Sequence, residues 1–240
     1  PGQFFIQIND QMAGRPDTPA NEPLVHTFHV FADPVFGDEP DPSDPTVRRV
    51  SPGQQAPTGD FEEATLYFAP GAHVLPGCQN GSDSKTVKPF QLRSNKRYHL
   101  AAGAYVRGVL VGAETTNVTI DGQGMLVGDQ VRRHPCKSGG TKGIDMKGVE
   151  RLVIRGITLV DMPGHNMALA GEDIDVSWIK LLTWRINGDG VDAVDHSSRG
   201  LSLRDSFLRV QDDSFYMEPG HIYERLRLWR DSNGKTFLFG

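Results

Sequence analysis

Residues 150–164 read ERLVIRGITLVDMPG, and they contain two short runs of alternating apolar and polar residues joined by one glycine. Two similar pairs of runs follow, at 174–188 as IDVSWIKLLTWRING and at 200–213 as GLSLRDSFLRVQDD, with Trp178 and Asp205 in place of the joining glycine. Alternation with a period of two is typical of β-strands that bury one side, and glycine permits a tight turn between them. No apolar pattern of helical period persists for three turns, so we expect almost no helix.

The strand pairs recur at drifting intervals along the chain. Their apolar runs align at Ile120, Ile154, Val176, Leu203 and Leu226, which gives steps of 34, 22, 27 and 23 residues. Repeats of short strands with glycine turns are typical of a solenoid. A coil of about 22 residues predicts an all-β, right-handed parallel β-helix, in which each coil lies about 4.8 Å above the last. A β-sandwich or jelly roll is the alternative, but its hairpin turns are not evident.

The composition divides the chain near residue 61. Residues 9–60 are rich in Pro, Asp and Gly and flank one alternating run, LVHTFHVFA at 24–32. We therefore predict an N-terminal strand with long loops over 1–61, as the end of a β module or a linker, and the β-helix over 62–240. The chain begins without Met and ends within an apolar run, so we expect a processed chain or a fragment that lacks C-terminal coils.

Charge and cysteine content limit the possible partners. The chain has 240 residues, 38% of them hydrophobic, and a net charge of −5, so nucleic acid is not expected as a partner. No apolar run approaches the roughly 18 residues of a membrane span, and no signal peptide is evident. Cys78 and Cys136 could form a disulfide or be two buried thiols. Sequons at Asn80 and Asn117 favour a secreted, extracellular or periplasmic location. The oligomeric state cannot be predicted from these features.

Aspartates form two clusters at the ends of apolar runs. The first cluster is Asp189 and Asp192 in NGDGVD, and the second is Asp212 and Asp213 in QDDSF. Asp212 follows Asp189 by 23 residues, about one coil, so the two clusters should meet on one face of a parallel stack. Three carboxylates so close cannot all ionise independently, and at least one pKa should rise. Glycoside hydrolysis needs such a protonated acid beside ionised carboxylates, roughly 6.5–9.5 Å apart for inversion.

Two other interpretations of the clusters remain open. Aspartate is a common turn residue, and NGDG alone is an ordinary turn. An EF-hand is excluded, because the twelfth position counted from Asn187 is Ser198 and not Glu, although an irregular calcium site remains possible.

The run NGDGVD followed by QDDSF resembles the N-x-D…D-D pattern of the β-helical polygalacturonases, glycoside hydrolase family 28. It is also similar to the dextranases and isopullulanases of family 49. Upstream, LYFAPGAHVLPG (66–77), YHLAAGAYVRGVLV (98–111) and NVTIDGQGMLVG (117–128) look like the first coils of both families. Downstream, LRLWRDSNGKTFLFG (226–240) is closer to family 49. The resemblance covers about residues 62–240.

The resemblance implies a role for each aspartate. Asp212 would be the general acid, and Asp189 and Asp213 would activate the attacking water. It implies a polysaccharide or oligosaccharide substrate and neither cofactor nor metal. The substrate-binding residues that we predict on this basis are Asp192, Asn166, His165, Asn187, Gln211 and Trp184. Trp229 is a second tryptophan that could stack on a sugar ring, although a β-helix also buries tryptophan in its core.

The chain also departs from the family 28 pattern. A G-H-G motif should follow the aspartate pair by one coil, but His221 follows Asp213 by only eight residues, and no R-x-K follows. Ser214 replaces the usual cysteine. We therefore expect an inverting hydrolase of a neutral α-glucan such as dextran. A pectin hydrolase, a β-helical polysaccharide lyase and a non-catalytic carbohydrate-binding β-helix are the alternatives.

Overall fold

The computed structural model describes residues 3–7, 27–76, 89–129, 142–184, 188–193, 199–230 and 233–239. Cys78, Cys136, Asn80 and Asn187 lie outside these ranges. The described residues form strands and no helix, and none of them belongs to a helix able to cross a membrane. The strands are β1 (Gln3–Gln7), β2 (Thr27–Phe31), β3 (Val47–Val50), β4 (Thr65–Phe68), β5 (Gly71–Val74), β6 (Phe90–Gln91), β7 (Lys96–Leu100), β8 (Ala104–Arg107), β9 (Leu110–Ala113), β10 (Thr116–Gly122), β11 (Met125–Val127), β12 (Ile144–Arg155), β13 (Thr158–Val160), β14 (Met167–Ser177), β15 (Lys180–Leu182), β16 (Val191–Asp192), β17 (Arg199–Arg204), β18 (Phe207–Val210), β19 (Phe215–Met217), β20 (Ile222–Glu224), β21 (Arg227–Arg230) and β22 (Phe237–Phe239).

The strands from β3 onward pair in parallel and build three faces, which confirms the predicted parallel β-helix. Face A comprises β6, β9, the first part of β12 and of β14, β16, β19 and β22. Face B comprises β3, β4, β7, β10, the later parts of β12 and β14, β17 and β20. Face C comprises β5, β8, β11, β13, β15, β18 and β21.

Strands β12 and β14 are long because each runs from face A into face B. The pairing between them shifts register between Met146 and Val149, and this irregularity forms the corner. Gly148 has a φ of 61° at that corner, a left-handed conformation in which glycine avoids the steric cost of a side chain. Glycine therefore supports the bend that separates the two faces of one coil.

The interior is filled by the apolar half of each alternating strand. In β12, Ile144, Met146, Leu152 and Ile154 have no exposed surface, while Asp145 points outward and is partly exposed. The equivalent residues of neighbouring coils lie above and below them in register, so one continuous core runs through the stack. The period-two pattern in the sequence thus becomes an inside–outside pattern that leaves polar residues available on every face.

The N-terminal part joins the solenoid earlier than the composition suggested. Strand β3 pairs in parallel with β4 on face B, although it precedes the predicted boundary at residue 62. Strands β1 and β2 form a separate antiparallel pair. The His29 ring lies 5.7 Å from that of Phe207 on face C, and the Asp33 carboxylate accepts a hydrogen bond from the buried Lys180 ammonium. The N-terminal segment therefore packs against the outside of the β-helix.

Candidate active site

The turns that lead from face C to face A stack directly on one another. The Asn166 N–H donates to the Asp189 carbonyl at 2.9 Å, and the Gly190 N–H donates to the Asp213 carbonyl at 2.8 Å. Continuing the ladder, the Ser214 N–H donates to the Lys235 carbonyl at 2.9 Å. Asp189 and Asp213, which are 24 residues apart, consequently occupy equivalent positions in adjacent coils, as the spacing of about one coil between the two clusters predicts.

Gly190 sets the spacing between these two turns. A Cβ atom at this position would lie 2.2 Å from the carbonyl oxygen of Ser214 in the next coil. Such a contact is impossible for a real side chain, so the backbones can approach this closely only because residue 190 is glycine. Gly234 has the same function one coil later, where a Cβ atom would lie 2.4 Å from the Asp213 nitrogen.

The stacking brings three carboxylates together. One oxygen each of Asp189, Asp212 and Asp213 lies within 4.8 Å of the other two. This separation is shorter than the roughly 6.5–9.5 Å that we expected for an inverting pair, because the closely stacked turns aim the side chains at one point. The same three oxygens are hard ligands that could coordinate a divalent cation such as Ca²⁺. Acid–base chemistry and cation binding are therefore both open to this cluster.

Asp189 is the innermost member of the cluster, and 8% of its surface is exposed. Burial, together with the neighbouring carboxylates of Asp212 and Asp213, raises its pKa to about 6. His165 opposes these effects, as does a hydrogen bond from the Asp213 N–H. A carboxyl group with this pKa carries a proton in weakly acidic solution, which is the behaviour that three crowded aspartates predict.

His165 bridges the two aspartates of the first cluster. Its Nε2 lies 3.3 Å from Asp189 Oδ2, and its Nδ1 lies 3.2 Å from Asp192 Oδ2. The imidazole ring stacks on the ring of Tyr216 with centroids 5.7 Å apart. The side chain is 25% exposed, so it also faces solvent. A protonated His165 at this position would favour the ionised form of Asp189.

The second cluster is held by the following coil. Asp213 accepts hydrogen bonds at both oxygens, from the Tyr216 hydroxyl at 3.0 Å and from the Lys235 N–H at 2.6 Å. Asp212 accepts one from the Asn233 side-chain amide at 3.0 Å. Burial and the charge of Asp189 raise the pKa of Tyr216, which keeps it a hydrogen-bond donor. Both carboxyl groups are partly exposed, so they are more accessible to a substrate than Asp189.

The outward residues of face A form a row beside the carboxylates. Asp145, Ala168, Asp192, Tyr216 and Leu238 are partners in successive coils. The four steps of about 4.8 Å between these five coils make a row about 19 Å long, parallel to the axis of the solenoid. Asp192, one of the predicted substrate-binding residues, lies in the middle of this row and is partly exposed.

Two other predicted substrate-binding residues are buried. Asn166 has no exposed surface; its Nδ2 donates to the Asp189 carbonyl at 2.6 Å, and its Oδ1 accepts from the Thr183 hydroxyl at 2.9 Å. Gln211 is 4% exposed, and its N–H donates to the Gly188 carbonyl. Both are thus screened from solvent in this structure, and their contact with a sugar stays a prediction. Asn166 also fixes the backbone that carries Asp189.

Two of the three tryptophans, Trp184 and Trp229, lie near the buried Arg209. Trp184 is half-buried, and its Nε1 has no hydrogen-bond partner among the described residues. Its ring lies 5.8 Å from the Arg209 guanidinium. Trp229 lies 4.6 Å from the same guanidinium and 6.0 Å from the His29 ring. These contacts belong to the packing between face C and the N-terminal segment. The Trp229 ring therefore takes part in that packing through His29 and Arg209.

Sequence reasoning missed Tyr216, Asn233 and Lys235. All three could have been located from the coil length. Tyr216 is 24 residues after Asp192, and the two are ladder partners on face A. Lys235 lies 22 residues after Asp213, within the range of the sequence steps. Asn187, the remaining predicted substrate-binding residue, lies outside the described part of the chain.

Comparison with known proteins supports the same architecture. No protein-family model and no curated protein matches the chain. Among solved structures, the chain is similar to Dex49A, a family 49 dextranase from Penicillium minioluteum, with a TM-score of 0.67 and 23% identity over 85% of this chain and 39% of that one. It is also similar to a family 28 exopolygalacturonase from Yersinia enterocolitica, with a TM-score of 0.50 and 13% identity over 73% of this chain and 44% of that one. The chain spans less than half the length of either protein, and it has the parallel β-helix fold of these two hydrolases.

Proposed function

We propose that the protein is a glycoside hydrolase that cleaves a polysaccharide by inversion, with Asp189, Asp212 and Asp213 as its catalytic residues. The observation that carries this proposal is the meeting of these three carboxylates at one point on adjacent coils. The likeness to β-helix proteins that include a dextranase and a polygalacturonase supports it. The row of outward residues beside the cluster offers a path along which a sugar chain can lie.

The exposure and the hydrogen bonds of the three aspartates indicate which catalytic role each one takes. Asp212 is partly exposed, so it can reach the leaving oxygen and protonate it as general acid. Asp213 accepts two hydrogen bonds and stands directly above Asp189, so these two can hold the attacking water between them. Asp189 must lose its proton to act as a base. Because its pKa is about 6, hydrolysis should decline below that pH.

A neutral glucan such as dextran is the favoured substrate class. In the described part of the chain, the basic side chain that contacts the carboxylate cluster is the imidazole of His165, and no arginine fork suited to a uronate carboxylate is found there; Lys235 contacts Asp213 through its backbone N–H. The carboxylates on face A would also repel an acidic sugar. Polygalacturonate is thus the less favoured substrate, and hydroxyl groups that donate to Asp192 suit the site better.

The short carboxylate separation favours a second mechanism. Oxygens within 4.8 Å approach the roughly 5–5.5 Å of retaining enzymes, in which one carboxylate attacks the sugar directly. NMR of the first product from a defined oligosaccharide distinguishes the two mechanisms. We expect the anomeric configuration to be opposite to that of the substrate, since the third carboxylate provides a second contact for water. A product of unchanged configuration would establish retention.

The cluster also favours a cation-dependent lyase as a second function, because three hard oxygen ligands can hold Ca²⁺. The purified protein should be incubated with dextran, pullulan, α-1,3-glucan, arabinan and polygalacturonate, with and without EDTA. A hydrolase releases reducing ends that contain no unsaturated sugar, and EDTA leaves its rate unchanged. Loss of activity with EDTA together with unsaturated products would support the lyase. Binding without any cleavage would support the non-catalytic β-helix.

The catalytic assignment is tested by Asp212→Asn. An amide cannot donate a proton in the same way, so hydrolysis should fall by about a thousandfold, within the usual effect of a general acid. The carboxyl group is partly exposed, so the melting temperature should change little. Asp175→Asn is a matched control on face B, where Asp175 pairs with Arg204. Full activity in Asp212→Asn would contradict the assignment.

We also propose that the protein acts outside the cytoplasm. Asn117 of the NVT sequon is exposed on β10 and is therefore accessible to a glycosyltransferase. Expression in a glycosylating host, followed by mass measurement before and after treatment with an amidase that removes N-linked glycans, tests modification of this residue.

A further inference from the structure

A groove on face A extends from the carboxylate cluster across the two preceding coils. It has a volume of about 300 Å³, at the lower end of the range of small-ligand sites. Its lining includes Lys142, Asp145, Lys147, Ala168, Ala170 and Asp192. Asp192 also lies 3.2 Å from His165, which lies 3.3 Å from Asp189, so one end of the groove borders the carboxylate cluster. The proposed catalytic residues adjoin the Asp192 end of this groove, and the proposed hydrolase mechanism gives the Asp145 end no role.

Small side chains form the floor of the groove. Ala168 lies in register between Asp145 on one coil and Asp192 on the other, so a methyl group separates two carboxylates. Ala170 continues this low surface along β14. A flat apolar floor between hydrogen-bonding groups suits a sugar ring, which presents C–H groups on its faces and hydroxyls at its edge.

Asp145 has one carboxylate oxygen to which no described residue donates a hydrogen bond. Its Oδ1 is buried and has no hydrogen-bond partner among the described residues. A buried acceptor without a partner costs free energy, and rotation of the partly exposed carboxylate can turn either oxygen toward a donor in the groove. A sugar hydroxyl is such a donor, and its hydrogen bond to a charged acceptor is among the stronger kinds.

The charges of the groove select between classes of sugar. Asp145 and Asp192 flank the floor, whereas Lys147 is exposed and Lys142 only half-buried. A uronate placed on Ala168 would meet a carboxylate on either side, at close range and partly shielded from solvent. Like charges in that position repel strongly, but neutral sugars donate hydroxyl hydrogen bonds to the same groups.

We propose that this groove binds a neutral sugar unit of the chain on one side of the bond that is cleaved, with Asp145 as the acceptor for a sugar hydroxyl. The proposal rests on the proposed hydrolase function, because it places the groove next to the reacting bond. It adds a substrate-binding residue, Asp145, and a reason for the preference for neutral sugars. The groove lies toward the preceding coils, so it should matter only for sugar chains long enough to reach beyond Asp192.

The test measures the binding of dextran fragments of increasing length by calorimetry, with Asp212→Asn as an inactive background. We expect affinity to increase once the fragment is long enough to enter the groove. Adding Asp145→Ala should remove that increase and raise Kd about tenfold, the effect of losing one hydrogen bond to a charged group. Adding Asp145→Asn should have a smaller effect, because the amide oxygen still accepts. Glu150→Ala, an exposed carboxylate on the same strand, is the control.

The outcomes separate this proposal from the hydrolase assignment. Equal affinity with and without Asp145 would contradict the proposal that this groove binds a neutral sugar unit. Tighter binding of polygalacturonate fragments than of dextran fragments would also contradict it. Binding that depends on Asp145 in a protein that cleaves none of the polysaccharides would support the groove and overturn the hydrolase. Absence of binding by any fragment would overturn both. Unchanged melting temperatures of the Asp145 variants exclude a loss of folding as the cause.

Discussion

Asp121 and Asp189 are both almost fully buried beside a histidine, yet their pKa values shift in opposite directions. Burial alone would raise the pKa of Asp121, but hydrogen bonds from His99 and Arg97 lower it below the usual value. Asp189 has only one histidine contact and two carboxylate neighbours, and its pKa rises to about 6. Burial therefore does not decide whether an aspartate is structural or reactive; the charge of its neighbours does.

The surroundings of Asp121 are those of a structural ion-pair network. Arg97 and Arg155 both contact its carboxylate, at 2.6 and 3.1 Å, and Asp38 of the N-terminal segment joins both arginines. The Arg155 guanidinium also lies 4.7 Å from the Phe36 ring. The network thus attaches the N-terminal segment to the β-helix, whereas the cluster around Asp189 brings three carboxylates within 4.8 Å of one another.

Asp189→Asn should have the largest effect of the substitutions at these two aspartates. We expect hydrolysis to fall by about a thousandfold, because the substituted site loses a base. Stability at pH 7 should nevertheless rise by about 1 kcal/mol, since a buried charge in unfavourable surroundings is removed. Steady-state kinetics and thermal unfolding of the same preparation measure both effects. A variant that is less stable than wild type at pH 7 would contradict the electrostatic account.

The sign of this stability effect can be checked against pH. In the wild type, the folded protein holds the Asp189 proton up to pH about 6, but the unfolded chain releases it near pH 4. The folded form therefore binds more protons between these values, and its stability falls as the pH rises from 4 to 6. Asp189→Asn should lack this contribution, and Asp121→Asn should retain it.

The same substitution at Asp121 should have the opposite consequence. Asp121→Asn leaves Arg97 and Arg155 without their shared counter-charge, which should cost about 3 kcal/mol of stability. Activity per folded molecule should stay within about twofold, because none of these groups contacts the carboxylate cluster. In the wild type this contribution is present above pH about 4 and is lost as the pH falls through the lowered pKa. Denaturant unfolding across the pH range checks it, and a neutral effect at pH 7 would contradict it.

His165→Ala should have the smallest effect of these substitutions on activity, and it isolates the influence of His165 on the pKa of Asp189. Its removal takes away the one side chain that lowers the pKa of Asp189, so that pKa should rise further. The acidic limb of the kcat/KM profile should move to higher pH, by up to about one pH unit. His221→Ala is the control, since His221 does not contribute to the pKa of Asp189. A limb that stays in place would separate His165 from the ionisation of Asp189.

The repeat spacing was sufficient to predict the fold and the meeting of the two acidic clusters. Coil length relates Asp189 to Asp213 because parallel pairing fixes which residues are neighbours. Coil length does not determine the direction of side chains within a turn. The prediction that Asn166 and Gln211 contact substrate therefore did not anticipate that both residues are buried. The roles of the three catalytic aspartates and of Asp192 stay predictions.

Other features could not be predicted because they depend on distant segments. The network around Asp121 needs Asp38, which lies more than eighty residues earlier in the chain, and no local pattern relates the two. The parallel pairing of β3 within a region rich in proline and aspartate was hidden for a similar reason. The pKa of Asp189 required the distances between carboxylates, which a spacing in sequence gives only approximately.

Gly190 and Gly234 give the carboxylate cluster an unusual mechanical property. The pitch of the solenoid sets the distance between the Asp189 and Asp213 backbones, because no side chain separates the two turns at Gly190. A tensile force along the solenoid axis would lengthen the hydrogen bonds between these turns. Asp189 would then move away from Asp212 and Asp213, which are consecutive residues of the next coil, and the electrostatic coupling between the two coils would weaken. Such a molecule would report axial strain as a fall in the pKa of Asp189.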